Sequence, residues 1–224
     1  MADDWSAAFD PGAIGDVLTG TAFGHAWALH LILAAALVAV VGFGARDRWA
    51  TVTIVSAALL ASLGLVGHAA MQTGAEGVAH RANHAVHLLT TAMWIGGLVP
   101  FAMCLDAYRD DDLRQDAVGA MMGFSFWGQF VVSAIILTGA VNIALTSGRP
   151  PIPPTTPYRA MLVAKIVLVA IMIMAAVFNR YVLAPRLKPG ATALAVLRLT
   201  SAAEVLLGSV VVALVSAFAL LDPA

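Results

Sequence analysis

The sequence predicts an all-α, polytopic membrane protein, a bundle of six transmembrane helices with both termini outside. Hydrophobic residues make up 61% of its 224 positions and charged residues only 11%, whereas a soluble domain carries about 25% charged residues. Basic and acidic residues number 12 and 13. The chain therefore lacks the excess positive charge of a nucleic-acid-binding protein, and we expect no nucleic acid as a partner.

The six helices are located by stretches that are nearly free of Asp, Glu, Lys and Arg. A helix needs about 20 apolar residues to cross the hydrocarbon core. Windows of that length predict helices over 21–45, 50–72, 83–105, 119–146, 158–182 and 193–221. The fifth and sixth windows contain one charge each, Lys165 and Glu204. Because these helices fill most of the chain, residues 1–224 are predicted to form a single transmembrane domain.

Two further segments flank or join these helices. Ile14, Val17 and Leu18 stand among polar residues before the first helix, which is typical of a short helix lying at the membrane interface. A disordered tail fits the same residues, so the two interpretations stay open. Between the fourth and fifth helices, five prolines over 150–157 predict a stiff, extended external loop.

Basic residues in the loops predict the orientation. Eight of them lie in or beside the loops that follow the odd-numbered helices: Arg46, Arg48, Arg109, Arg114, Arg180, Arg186, Lys188 and Arg198. The opposite side has three: Arg81, Arg149 and Arg159. Cytoplasmic loops carry the excess of Lys and Arg. The larger set is therefore placed in the cytoplasm and both termini in the periplasm.

All six histidines fall at the predicted outer end of the bundle: His25 and His30 in the first helix, His68 in the second, His80 in the loop before the third, and His84 and His87 at the start of the third. The last three are spaced i, i+4 and i+7, which puts them on one helix face. Thr91 and Trp94 continue that face inward, so it is predicted to point into the bundle.

This histidine cluster predicts a metal or haem site, and copper suits its residue types. His68, His84 and His87 are the expected ligands, with His30 and Met71 as additions. Imidazole nitrogen suits Cu(II), and a thioether favours Cu(I). Two of the three main histidines, on facing helices, would also describe the axial ligands of a b-type haem. A single histidine at a helix end is ordinarily bonded to water or to a backbone carbonyl.

That ordinary interpretation applies to His25 and His80, which are kept as secondary candidates together with the two intramembrane charges. Lys165 lies about 10 Å inside the outer end of the fifth helix. It either extends outward to the interface or borders a polar cavity. Glu204 lies nearer the cytoplasmic side, and Asn179, Arg180 or Arg198 are its expected partners.

Short motifs along the whole chain resemble those of one family. They are Thr21-x-Phe23-Gly24-x-x-Trp27, Gly67-His68-Ala69, His84-x-x-His87, Trp94-Ile95-Gly96-Gly97-Leu98, Phe124-Ser125, Gly139, Asn142, Thr156-Pro157-Tyr158-Arg159, Leu162, Lys165, Asn179-Arg180, Leu183, Pro185, Leu187 and Glu204. Together they resemble the CopD (PcoD, YebZ) family of bacterial inner-membrane copper proteins, most clearly over 120–221. Arg159 departs from the family's usual glycine, and the chain lacks helices that longer members have.

The resemblance implies a multi-pass protein of the bacterial inner membrane that binds copper ion on the periplasmic side and moves it across the bilayer. It also implies a periplasmic CopC-like copper-binding protein as partner. An assembly of several copies is compatible with the sequence. On this interpretation the protein is a transporter and not an enzyme.

Two other functions remain open at this point. The tryptophan–glycine–glycine stretch at Trp94 also looks like small haem-binding membrane proteins, including HemJ-type protoporphyrinogen oxidases. That resemblance leaves open a membrane oxidoreductase with haem b, held by two of His68, His84 and His87. A weaker alternative is an accessory subunit whose histidines only sense metal.

Overall fold

The structure, a computed structural model, consists of helices joined by turns and loops. It describes residues 10–43, 48–147, 152–188, 192–218 and 221. The helices are α1 (Pro11–Gly20), α2 (Ala22–Gly42), α3 (Trp49–Ser62), α4 (Gly74–Ala107), α5 (Arg114–Ser147), α6 (Pro157–Phe178) and α7 (Thr192–Phe218). No β-strand occurs in these ranges, which confirms the all-α class.

Five of the described helices are long and apolar enough to cross a membrane. They are α2, α4, α5, α6 together with its continuation to Arg186, and α7. The 14 residues of α3 span about 21 Å at 1.5 Å per residue, less than a hydrocarbon core of about 30 Å. The described residues therefore contain five candidate spans and one shorter apolar helix.

The chain folds as two compact units, residues 1–89 and 90–224. The first unit contains α1, α2, α3 and the beginning of α4. The second contains the rest of α4 with α5, α6 and α7. All six histidines belong to the first unit, and Lys165 and Glu204 belong to the second.

In the first unit, α1 and α2 meet at a tight corner. Asp10 caps α1 by accepting a hydrogen bond from the Gly12 amide, so residues 11–20 form a helix, not a disordered tail. At the corner, the Thr21 hydroxyl donates to the Val17 carbonyl and accepts from the Gly24 amide. A Cβ at Gly24 would lie 2.0 Å from the Val17 carbonyl oxygen, so the two backbones can approach only at a glycine.

The second predicted helix, 50–72, is interrupted in the structure. The α-helix ends at Ser62, and two 3-10 turns follow, Leu63–Leu65 and Gly67–Ala70. Gly67 has a φ of 71°, a left-handed conformation that ends helices and that glycine adopts without steric cost. At Gly64, a Cβ would lie 3.1 Å from the Arg81 carbonyl oxygen. The turn therefore packs its backbone directly against α4.

The third predicted helix, 83–105, begins earlier in the structure. Gly74, with a φ of 65°, turns the chain into α4, and Glu76 places a negative charge in the first turn, where the helix dipole favours it. As a result His80 is a helical residue, not the loop residue that the sequence predicted.

The second unit packs α4, α5, α6 and α7 around apolar clusters. One contains Trp94, Ile135, Met172 and Val211. Another contains Leu105, Tyr108, Ala117, Met121, Leu183, Leu194 and Leu197. An ion pair of 2.6 Å joins Arg198 of α7 to Asp106 of α4. Both side chains reach the surface, so we assign the packing energy of this unit to its apolar clusters and not to that pair.

The end of α6 changes its helical form. After Phe178 the chain makes a π-helical turn, Asn179–Leu183, and then a 3-10 turn, Ala184–Arg186. Within the π-helical turn the Asn179 carbonyl accepts from the Ala184 amide, five residues on. Pro185 follows in the 3-10 turn. It has no N–H to offer the Tyr181 carbonyl, so a regular α-helix does not continue past it.

Candidate functional site: a histidine-rich first unit

His80 is the most deeply buried histidine of the described chain. Its side chain is 1% exposed, and the ring Nδ1 is hydrogen-bonded to the carbonyl oxygen of the Gln72 side chain. A carbonyl oxygen only accepts, so Nδ1 carries the proton and Nε2 carries the lone pair. The prediction that His80 lies in a loop where water could replace it is therefore wrong.

His84 and His87 follow His80 along the same face of α4. His87 is 8% exposed and His84 is half-buried. Further along this face, Trp94 is 5% exposed. The face that carries the histidines is therefore the buried face of α4, as their spacing predicts.

His30 is held by the end of α3. Its Nδ1 lies 2.7 Å from the Ser62 hydroxyl oxygen, and that hydroxyl donates its proton to the Leu59 carbonyl. Since a hydroxyl has one proton to give, His30 must be the donor in the first contact, which leaves the lone pair on Nε2. The Trp27 ring meets the imidazole edge-on, with centroids 5.4 Å apart. The imidazole of His30 is thus fixed in tautomer and orientation.

His25 and Met71 lie at the surface. The Nε2 of His25 donates to the Thr19 carbonyl over 2.8 Å, which is the ordinary helix-end arrangement that the sequence predicted. Met71 is 66% exposed and follows directly on the 3-10 turn Gly67–Ala70. The thioether is thus available at the surface and not packed in a core.

The structure does not by itself assemble the predicted three-histidine site. The backbone of His68 lies in the 3-10 turn Gly67–Ala70, but its side chain lies outside the described residues. Among the side chains that are described, no three of the His, Cys, Asp and Glu type are grouped closely enough to hold a metal ion. The ligand set of His68, His84, His87, His30 and Met71 therefore stays a prediction.

The two intramembrane charges lie in the second unit. Glu204 is 2% exposed, and the Asn179 side-chain amide donates to its Oε1 over 2.6 Å. That partner was one of three predicted. The Arg180 guanidinium instead donates to the backbone carbonyl and hydroxyl of Ser125. Lys165, on α6, is half-buried.

Comparison with known proteins decides the family. A model of the N-terminal domain of copper resistance protein D-like proteins matches residues 1–78, and a model of copper resistance protein D matches residues 118–218. Across all 224 residues the chain is 33% identical to the inner membrane protein YebZ of Escherichia coli K12 and covers 76% of it. The chain belongs to the CopD family.

Two other relatives of this CopD-family chain match over smaller shares. It is 30% identical over 176 residues to copper resistance protein D of Pseudomonas syringae pv. tomato, which is 75% of this chain and 56% of that protein. It is 28% identical over 146 residues to copper transport protein CutJ of Bacillus subtilis 168, which is 62% of this chain and 26% of that protein. No solved structure matches it significantly.

Two residues of the first unit of this CopD-family protein were missed by sequence reasoning. Gln72 and Ser62 hold the rings of His80 and His30, and such partners set which nitrogen of a ligating histidine is available. Gln72 stands two residues before Gly74, and this glycine was the one sign in the sequence of a turn that could bring Gln72 back to His80. For Ser62 the sequence offered none, because 32 residues separate it from His30.

Proposed function

We propose that this CopD-family protein binds copper outside the cytoplasm and moves it across the inner membrane. The observation that carries the proposal is that all six histidines lie in the first unit, most of which matches the N-terminal domain model of a copper-resistance family. The names of two relatives, a copper resistance protein and a copper transport protein, agree with it. YebZ, an inner membrane protein by name, supports the location.

The proposed ligands are His68, His84 and His87, with His30 and Met71 as additions. His84 and His87 lie on the buried face of α4, and His30 presents an Nε2 lone pair because Ser62 takes its Nδ1 proton. Neutral imidazole is the form that binds a metal, and hydrogen bonds of this kind prepare it. A periplasmic CopC-like protein is the proposed donor of the copper, and self-assembly is left to experiment.

The proposed topology is six membrane crossings with both termini periplasmic. Five of the crossings are the candidate spans. The sixth crossing consists of α3 and the 3-10 turns after it. Eight basic residues beside the loops after the odd-numbered crossings, against three on the other side, give the orientation. On this topology the histidines lie at the periplasmic ends of the crossings.

Cysteine labelling tests this topology. In a variant whose single native cysteine, Cys104, is replaced by serine, a cysteine at Pro153 should react with an impermeant thiol reagent added to the periplasmic side. A cysteine at Asp111, in the turn between α4 and α5, should react only after the membrane is permeabilised. The reverse pattern would place the histidines in the cytoplasm and contradict periplasmic capture.

Copper uptake tests the function. Right-side-out membrane vesicles containing the protein should accumulate radioactive copper faster than vesicles without it, and the double variant His84→Ala, His87→Ala should return uptake to the background rate. His25→Ala is the matched control and should keep the wild-type rate. His25 is exposed, and its ring is hydrogen-bonded to the Thr19 carbonyl at the α1–α2 corner. Wild-type uptake by the double variant would contradict the proposal.

A further inference from the structure

The helix α7 buries one continuous stripe of side chains, and two polar residues stand in its middle. Its members recur every three to seven residues and are each 5% exposed or less: Leu194, Leu197, Ser201, Glu204 and Val211. This is the spacing of a helix face that packs into a bundle. Glu204 therefore lies inside the packed second unit and not at its rim.

A single amide, that of Asn179, donates to this carboxyl group. The Asn179 Nδ2 is 2.6 Å from Glu204 Oε1, and its Oδ1 accepts from the Thr200 hydroxyl over 2.7 Å. An ionised carboxylate only accepts, so the amide nitrogen of Asn179 faces Glu204. Asn179 also begins the π-helical turn, an irregularity that appears frequently at functional sites.

No described cation pairs with Glu204. The two ion pairs of the described chain join Arg114 to Asp111 and Arg198 to Asp106, and Arg180 is bonded to Ser125. Lys165 is 14 residues from Asn179 on α6, or about 21 Å along the axis. Among the described residues, Glu204 forms an ion pair with none of the other charged and titratable groups of the surrounding helices and turns. These are Cys104, Tyr108, Arg109, Asp110, Asp112, Asp116, Tyr158, Arg159, Tyr181, Arg186 and Lys188.

A second buried polar group lies on the same face of α7 as Glu204. The Ser201 hydroxyl is buried, its residue is 1% exposed, and the oxygen has no hydrogen-bond partner. Ser201 precedes Glu204 by three residues and so shares its helix face. A buried carboxylate without a counter-charge is costly, and in practice such groups become neutral. The smallest ligand that neutralises it is a proton.

We propose that Glu204 is an interior proton-binding site, with Asn179 and Ser201 as its positioning residues. A proton from water adds to the carboxylate and gives a neutral acid, whose O–H finds an oxygen acceptor in the Ser201 hydroxyl, while Asn179 continues to donate to the other oxygen. The donors here are a carboxyl, an amide and a hydroxyl, not the nitrogen and sulfur ligands that copper favours. This site is thus separate from the proposed copper site, and its test needs no copper.

The proposal can be tested by infrared spectroscopy of the Glu204 carboxyl group. The sequence contains two glutamates, Glu76 and Glu204, so the signal of Glu204 can be isolated. Glu76 is exposed in the first turn of α4. With isotope-labelled glutamate in the Glu76→Gln variant, every labelled carboxyl signal in the infrared spectrum comes from Glu204. We expect a protonated-carboxyl band at neutral pH that disappears as the pH is raised and is absent from the Glu204→Gln variant.

Two outcomes would overturn the proposal. One is a labelled carboxyl that gives only carboxylate bands at neutral and mildly acidic pH. The other is a protonated band that no alkaline pH removes while the protein stays folded. If Glu204→Gln does not fold, Ser201→Ala decides instead, because it keeps the carboxyl. The proposal expects the protonated band to shift in frequency there, and an unchanged band would remove Ser201 from the site and contradict it.

Discussion

We expect the replacement of any one of His68, His84 and His87 by alanine to weaken copper binding by more than about tenfold, because losing a residue that only hydrogen-bonds to a metal ligand already costs about 10–100-fold. If the three share one ion, the double variants lose much less than the sum of the single losses, since the first loss already opens the coordination shell. The measurement is a competition titration of purified protein against a copper chelator. His25→Ala, an exposed histidine at the α1–α2 corner, is the control and keeps the wild-type affinity.

Additive losses of similar size in the double variants would mean that the histidines bind separate ions. Full affinity in the variant that lacks both His68 and His84 would remove the shared site altogether. His80→Ala is not a neutral control, because His80 is buried against Gln72 and its loss disturbs the start of α4.

Replacing Asn179 by leucine destabilises the second unit by about 1–3 kcal/mol, the cost of leaving a buried polar group without its partner. The variant removes the donor to Glu204, whereas the Thr200 hydroxyl keeps the Val196 and Leu197 carbonyls as acceptors. We expect a lower melting temperature in detergent and an unchanged copper affinity. Thr200→Val, which leaves the Asn179–Glu204 contact intact, should cost less.

A melting temperature equal to that of the wild type would show that the contact contributes nothing to stability. A loss of copper affinity in Asn179→Leu would show that the second unit takes part in the outer site. The coupling between the two side chains is measured by a double-mutant cycle. It compares Asn179→Leu, Glu204→Gln and the variant that carries both changes.

The helical segments were predicted from the positions of charged residues alone. The prediction was accurate where charged residues stand at the ends of a helix. The fourth predicted helix, 119–146, lies within α5 and is five residues shorter at its start. The prediction of helix ends from charge-free windows was wrong at α3 and α4. A charge-free window shows which residues can lie in lipid, but not where the backbone stops being helical. The α-helix α3 ends at Ser62, before the left-handed Gly67, and the left-handed Gly74 begins α4. The first turns of α4 contain the charged residues Glu76 and Arg81.

The sequence was sufficient to predict which residues share the buried face of α4, but not which residues contact one another across helices. The i, i+4, i+7 spacing placed His80, His84 and His87 on one face, and that face is buried. Contacts between distant residues, such as His30 with Ser62 or Arg180 with Ser125, depend on how helices are packed. Periodicity within one helix carries no information about them. The Asn179–Glu204 contact was predicted, because both residues were placed near the inner ends of neighbouring helices.

The central claim is that the first unit of this CopD-family protein binds copper through its histidines. The most direct test is the copper content of the purified protein after equilibration with copper and removal of the excess, measured beside its absorption spectrum. We predict copper bound to the wild type, none bound to the variant that lacks His68, His84 and His87, and no Soret band in either. Copper retained in full by that variant would contradict the claim, and so would a Soret band in the wild type that the variant loses.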